Sequence, residues 1–170
     1  MASSSFVHLQ CQSEYSVKNS LIRVPKLIES VQQAGMDSVA LTDHMSLFSA
    51  VKFYQKAIDS GIKPIIGVKV VVAFSLGQYE VILLCQNNEG YLNLSELISK
   101  AYLNEQGIEG VSVTEEQLIE HQNGLIMVAT SVSSDIAQLL LANESNLAEE
   151  KALSWKSIFS DRYYMSVQRT

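Results

Sequence analysis

A chain of 170 residues with twelve basic and eighteen acidic side chains, net charge −6, has the length of one domain with a sizeable core. Its 47% hydrophobic and 18% charged content is globular and excludes an intrinsically disordered chain. The acidic balance argues against a nucleic-acid platform, which needs clustered Lys and Arg to meet phosphates. Two prolines and eight glycines leave no room for a long flexible linker.

Phe6 to Cys11 reads as a strand. Pro25 suits the first turn of a helix, where its missing N–H costs nothing. Leu27, Ile28 and Val31 form one apolar face of that helix, and Gly35 stops it. Ser38 to Thr42 is a short apolar strand that ends in the polar pair Asp43-His44. Leu47, Val51, Tyr54 and Ile58 recur at helical spacing and predict a helix packed through that face, stopping at Gly61. Ile65 to Ala73 is β-branched and reads as a buried strand. Tyr79 to Cys85 reads as another, after a turn at Leu76-Gly77-Gln78.

From Tyr91 to Tyr102 the face Leu94, Leu97, Ile98, Ala101 predicts a helix. Thr114-Glu115-Glu116-Gln117 has capping-box spacing and opens a short one. Gly124 to Ala129 reads as a strand, Ser134 to Leu141 and Ala148 to Phe159 as helices, and Tyr163 to Val167 as a last strand. Strands alternating with helices predict right-handed βαβ units and a largely parallel sheet, with functional groups at the C-terminal strand ends. Asp43-His44 falls at such an end. A complete barrel needs more strands than these, so the chain reads as the first part of a larger fold.

Cys11 and Cys85 are isolated, which suits a reducing cytoplasm and inert buried thiols. Met1 to Ser5 shows neither the basic region nor the apolar stretch of a signal peptide. The most apolar run, Val68 to Phe74, contains Lys69 and is too short to span a bilayer. His121 reads as a solvated side chain in a helix-to-loop segment.

Three segments carry the functional reading. They are Phe6-Val7-His8-Leu9-Gln10-Cys11-Gln12-Ser13-Glu14-Tyr15-Ser16, then Leu41-Thr42-Asp43-His44, then Gly61-Ile62-Lys63-Pro64-Ile65-Ile66-Gly67-Val68-Lys69. Their order and spacing resemble the opening of a PHP (polymerase and histidinol phosphatase) domain. More narrowly they resemble the N-terminal PHP domain of bacterial replicative DNA polymerase III α subunits. Val51-Lys52-Phe53-Tyr54, Asn87-Asn88-Glu89-Gly90-Tyr91-Leu92-Asn93-Leu94, Leu97 to Tyr102, and Asp161-Arg162-Tyr163-Tyr164 with Gln168-Arg169 extend the resemblance over residues 6 to 169. Each motif is weak alone. Together, in order and nearly without gaps, they are specific.

The resemblance implies an α/β fold, a PHP-type distorted TIM-like βα barrel of which this chain is the first part. It implies one PHP domain over 1–170, truncated on its C-terminal side, with the polymerase palm and later domains absent. Metal-bearing members read H-x-H-S where this chain has Gln10, Cys11, Gln12 and Ser13. Residues two apart on a strand share a face, so the frame of that pair persists while its imidazoles are replaced by amides, weak neutral ligands. The Asp that follows corresponds to Asn19, the Glu of the third segment to Lys69, a later His to Glu80 and a later Cys to Ser131. An ammonium repels a metal ion.

His44 matches a ligand of intact members, with Asp43 as its polar neighbour; His8 is not a usual ligand. One imidazole does not make a tight site, and His44 also fits a histidine hydrogen-bonded at a strand end. Gln12 and Lys69, if buried, need carboxylate or carbonyl partners.

The resemblance therefore implies a non-catalytic domain without cofactor, a scaffold and docking surface in chromosomal replication for the proofreading exonuclease and other replicase subunits. DNA and Mg²⁺ would be handled by other domains of a parent DNA-directed DNA polymerase, a nucleotidyltransferase in which carboxylates hold two metal ions. The alternative is a metal-dependent phosphoesterase or exonuclease. Ligand count separates the two, and it favours the scaffold.

Overall fold

The computed structural model describes residues 6–74, 77–103, 110–130 and 133–167. Ser131, Gln168, Arg169 and the Leu76 end of the expected turn lie outside the described residues. The chain divides into two compact units, Met1–Val68 and Lys69–Thr170.

In the first unit, helix α1 (Val24–Gln33) carries Pro25 in its first turn and buries Val24, Leu27, Ile28 and Val31. Gly35 follows at φ +68, the left-handed conformation that ends helices cheaply only at glycine. Strand β1 (Ser38–His44) is buried along nearly all its length. Helix α2 (Ala50–Asp59) packs on α1, with Val39, Leu41, Phe53, Ala57 and Ile62 in one core cluster with the α1 face. Strand β2 (Lys63–Phe74) begins in this unit; the Lys63 N–H donates to the Asp37 carbonyl at 2.8 Å.

Two expectations need correction here. Phe6 to Cys11 is not a strand; it makes one isolated parallel bridge, His8 with Val39. The Ala40 N–H donates to the His8 carbonyl and the Thr42 N–H to the Cys11 carbonyl, so the segment runs beside β1 without consecutive ladder rungs. The buried face of α2 is Ala50, Phe53 and Ala57, whereas Val51, Tyr54 and Ile58 are all more than half exposed. Both sets recur at helical spacing, so periodicity alone could not choose between them. The bulk of Phe53, set between two alanines, fills the space against α1.

In the second unit the strand order is β2, β3 (Gly77–Cys85), β5 (Leu125–Ala129), β6 (Tyr163–Met165), with the short β4 (Val113–Thr114) paired to β2. The β2–β4 and β5–β6 pairs are parallel and β3–β5 is antiparallel, with Leu83 opposite Met127. The fold is thus mixed α/β with mostly parallel strands and flanking helices. Strand β4 left no trace in the sequence pattern, because two residues carry no periodicity.

Helix α3 (Asn88–Leu103) buries Gly90, Leu94, Leu97, Ile98 and Ala101. The Asn87 side chain accepts from the Gly90 N–H at 2.9 Å, so the Asn-Asn-x-Gly-Tyr segment caps this helix. Gly90 also meets the backbone of Gly124: a Cβ there would lie 1.9 Å from the Gly124 carbonyl oxygen. Helix α4 (Glu115–Glu120) starts with the expected capping box between Thr114 and Gln117. Ser134 caps α5 (Asp135–Leu141), which packs on α6 (Ser145–Phe159). The Arg162 guanidinium donates to the carbonyls of Gln122 and Leu125 and lies over the Phe159 ring, which gives the Asp161-Arg162-Tyr163-Tyr164 motif a structural use.

Candidate functional site

In the first unit the centre of the candidate site is the Asp43 carboxylate, 1% exposed at the end of β1. Its Oδ1 accepts from the Ser13 N–H at 2.6 Å and from Ser16 Oγ at 2.7 Å. Its Oδ2 accepts from Ser13 Oγ at 2.8 Å and, by a very short bond, from Ser49 Oγ. Ser16 Oγ in turn accepts from the His44 N–H at 2.9 Å. A buried carboxylate is stable only when its lone pairs are filled, and here three hydroxyls and one amide fill them. Asp43 therefore ties the 13–16 loop and the start of α2 to the end of β1. Ser13 and Ser16 were legible only as parts of a motif and Ser49 not at all; nothing in their spacing showed that three would meet one carboxylate.

After His44 the chain turns through Met45 at φ +48, a left-handed conformation uncommon outside glycine, with the Met45 side chain buried. The His44 ring is partly buried. Gln10 and Asn19 are exposed. Asn19 belongs to a turn in which its N–H donates to the Ser16 carbonyl at 2.7 Å. Gln12 is partly buried, and its side-chain nitrogen is enclosed without an acceptor among the described residues, contrary to the partner expected for it.

In the second unit Lys69 on β2 and Glu80 on β3 form an ion pair at 2.7 Å, with side chains 15% and 25% exposed. This is the carboxylate partner expected for Lys69. Glu80 is fixed through its backbone, its N–H donating to the Ser133 carbonyl and its carbonyl accepting from Thr130 Oγ1.

These residues do not make a donor set for a divalent metal. Gln12 offers at most a neutral amide, a weak ligand for a divalent ion. The Glu80 carboxylate is already occupied by an ammonium. Among the described residues no group of three or more His, Cys, Asp and Glu is arranged to hold an ion.

The family profile described as "PHP domain" matches residues 8–170. The chain belongs to the PHP domain family. This PHP domain is 36% identical over 169 residues to "DNA polymerase III subunit alpha" of Pseudomonas fluorescens, a match covering 98% of the chain and 14% of that relative. It is 36% identical over 173 residues to the protein of the same name from Escherichia coli K12, covering the whole chain and 15% of that relative. The chain thus spans about a seventh of the length of these curated relatives. Among solved structures it resembles a protein from Bifidobacterium adolescentis assigned as a metal-dependent phosphoesterase, with TM-score 0.60, 9% identity, and coverage of 91% of this chain and 84% of that one. At that identity the likeness is one of fold, the PHP-type α/β arrangement related to the TIM barrel.

Elsewhere, the expectation for His121 is overturned: it is 4% exposed. Its Nδ1 lies 2.8 Å from the Gln117 carbonyl, which can only accept, and its Nε2 lies 3.0 Å from Lys100 Nζ, which can only donate. The ring therefore carries its proton on Nδ1 and closes α4 onto α3. Its place at the C-terminal cap of a short helix was visible in the sequence, but the Lys100 contact, 21 residues away, was not.

Tyr79 and Lys151 both donate to Glu115, and Trp155 Nε1 donates to Asp135 at 2.7 Å. Burial pushes the Asp135 carboxyl and the Tyr79 and Tyr163 hydroxyls above their ordinary ranges. Both thiols are partly buried and raised by burial, Cys85 to about 12. No described helix is long and apolar enough to cross a membrane.

Proposed function

We propose that this PHP domain is the non-catalytic N-terminal domain of a bacterial DNA polymerase III α subunit, working in the cytoplasm in chromosomal replication. In this reading it is a scaffold and a docking surface for the proofreading exonuclease subunit and other replicase subunits. Nucleotidyl transfer, with its Mg²⁺ and its DNA, belongs to other domains of the parent polymerase. The reading includes a single PHP domain over 1–170 that continues in the parent, and a metal centre reduced to the vestigial positions Gln10, Gln12, Asn19, His44 and Lys69.

The observation that carries it is the Lys69–Glu80 ion pair. Both residues stand where the resemblance puts metal ligands, and a cation held against a carboxylate there opposes a metal and supports a site without chemistry. A phosphoesterase of this class needs several imidazoles and carboxylates to activate water, and His44 alone does not supply them.

The test is capture of the purified proofreading exonuclease subunit by the full chain, with hydrolysis of a phosphodiester assayed in parallel. Binding of the exonuclease without hydrolysis is expected. Hydrolysis that His44→Ala abolishes, while the thermal melt of the variant stays near that of wild type, would establish the phosphoesterase reading instead.

A further inference from the structure

We infer that Lys69 is a built-in cation: its ammonium stands where metal-bearing relatives hold a metal ion and does that ion's electrostatic work inside the second unit. The inference rests on the reading of positions 69 and 80 as former ligand positions and adds what now holds them together.

Lys69 and Glu80 lie eleven residues apart on consecutive strands, yet their charged ends meet at 2.7 Å. Their low exposure, shared with Lys151–Glu115 at 26% and 23%, sets the pair apart from the more exposed lysine pairs among the described residues. Lys26–Glu29, Lys52–Glu14 and Lys100–Glu96 each have at least one side chain 46% or more exposed. An exposed pair is screened and contributes little, but a partly buried carboxylate needs a counter-charge to remain ionised. In a metal site the metal supplies that counter-charge. Here β2 supplies it covalently, at unit effective occupancy, independent of metal concentration. Their chain neighbours Val70 and Val81 are fully buried, which anchors the backbone of both strands. The ammonium is then a point charge held on a rigid strand.

Lys151–Glu115, an equally enclosed pair, serves as the plain ion pair for comparison: Lys151→Glu should show no recovery with a divalent cation, whereas the site at 69 and 80 should accept one once its lysine is gone. The experiment uses the full chain and reads thermal melts. Lys69→Glu sets two carboxylates against each other, so in chelator it should melt well below wild type. Millimolar manganese should recover several degrees of that loss, since facing carboxylates suit a hard divalent ion. Adding Glu80→Gln to Lys69→Glu should abolish the recovery. Wild type should not respond to manganese.

Lys69→Ala guards against a Lys69→Glu chain that fails to fold. Methylammonium chloride should raise its melt more than equal sodium chloride does, and should not do so for wild type. If neither variant is rescued by its cation, the built-in cation is wrong while the scaffold reading stands. A wild-type chain that itself gains stability from manganese would overturn the scaffold reading too.

Discussion

Asp43 is the residue on which the first unit depends most. It accepts four hydrogen bonds from Ser13, Ser16 and Ser49 while almost fully buried. Removing it strands three hydroxyls and an amide, each without water to replace the lost acceptor. Asp43→Ala should destabilise the chain by about 3 kcal/mol or more, judged by urea unfolding. His44→Ala should cost about 1 kcal/mol. Were the two losses equal, Asp43 would not be the tie described here.

Cys85 gives a second prediction, on pH. Burial raises its thiol to about 12 from an ordinary 9.0, so the folded chain keeps the proton through the range where an exposed thiol loses it. The thiolate is the nucleophile. At pH 9 iodoacetamide should leave Cys85 largely unmodified in native protein and modify it readily in urea, with mass spectrometry as the readout. The corresponding stability term is complete below pH 9 and declines as pH rises toward 12, as the unfolded thiol ionises first.

Among the elements, α2 shows where pattern reading succeeds and where it stops. The helix, its length and its end near Gly61 were legible from periodicity and glycine. Which stripe faces inward was not, because Val51, Tyr54 and Ile58 repeat with the same period as Ala50, Phe53 and Ala57. Only the fit against α1 decides, and the sequence does not write that down. The energetic consequence is sharp. Phe53→Ala should cost roughly 3–5 kcal/mol in a denaturant melt, while Val51→Ala should stay within about 0.5 kcal/mol of wild type.

The first segment failed differently. Phe6 to Cys11 has the composition of a strand, but it meets β1 through a single bridge and one further N–H bond rather than a ladder. The capping box at Thr114 and the cap at Asn87 were legible because both are local, set by residues three apart. The antiparallel β3–β5 pair is a contact of distant segments and left no local trace.

At the scale of the whole molecule, the motifs in order were enough to reach the PHP family, and the positions that the resemblance matches to metal ligands were named from the same residues. The partners of those substitutions were only partly legible. Lys69 was expected to find a carboxylate, and Glu80 was in view as a substituted position, but their meeting depends on the pairing of β2 with β3. Gln12 was expected to find a partner, and its enclosed nitrogen has none among the described residues. His121 was misread because burial of a cap residue depends on what the neighbouring helix supplies, here Lys100.

In the proposed reading, this PHP domain keeps the frame of a metal centre and works without the metal. Metal analysis of the purified, untagged full chain after dialysis tests it most directly. Zinc, manganese and iron are predicted far below one equivalent per chain, with the thermal melt unchanged by chelator. Stoichiometric metal surviving dialysis, lost together with stability on chelation, would contradict it.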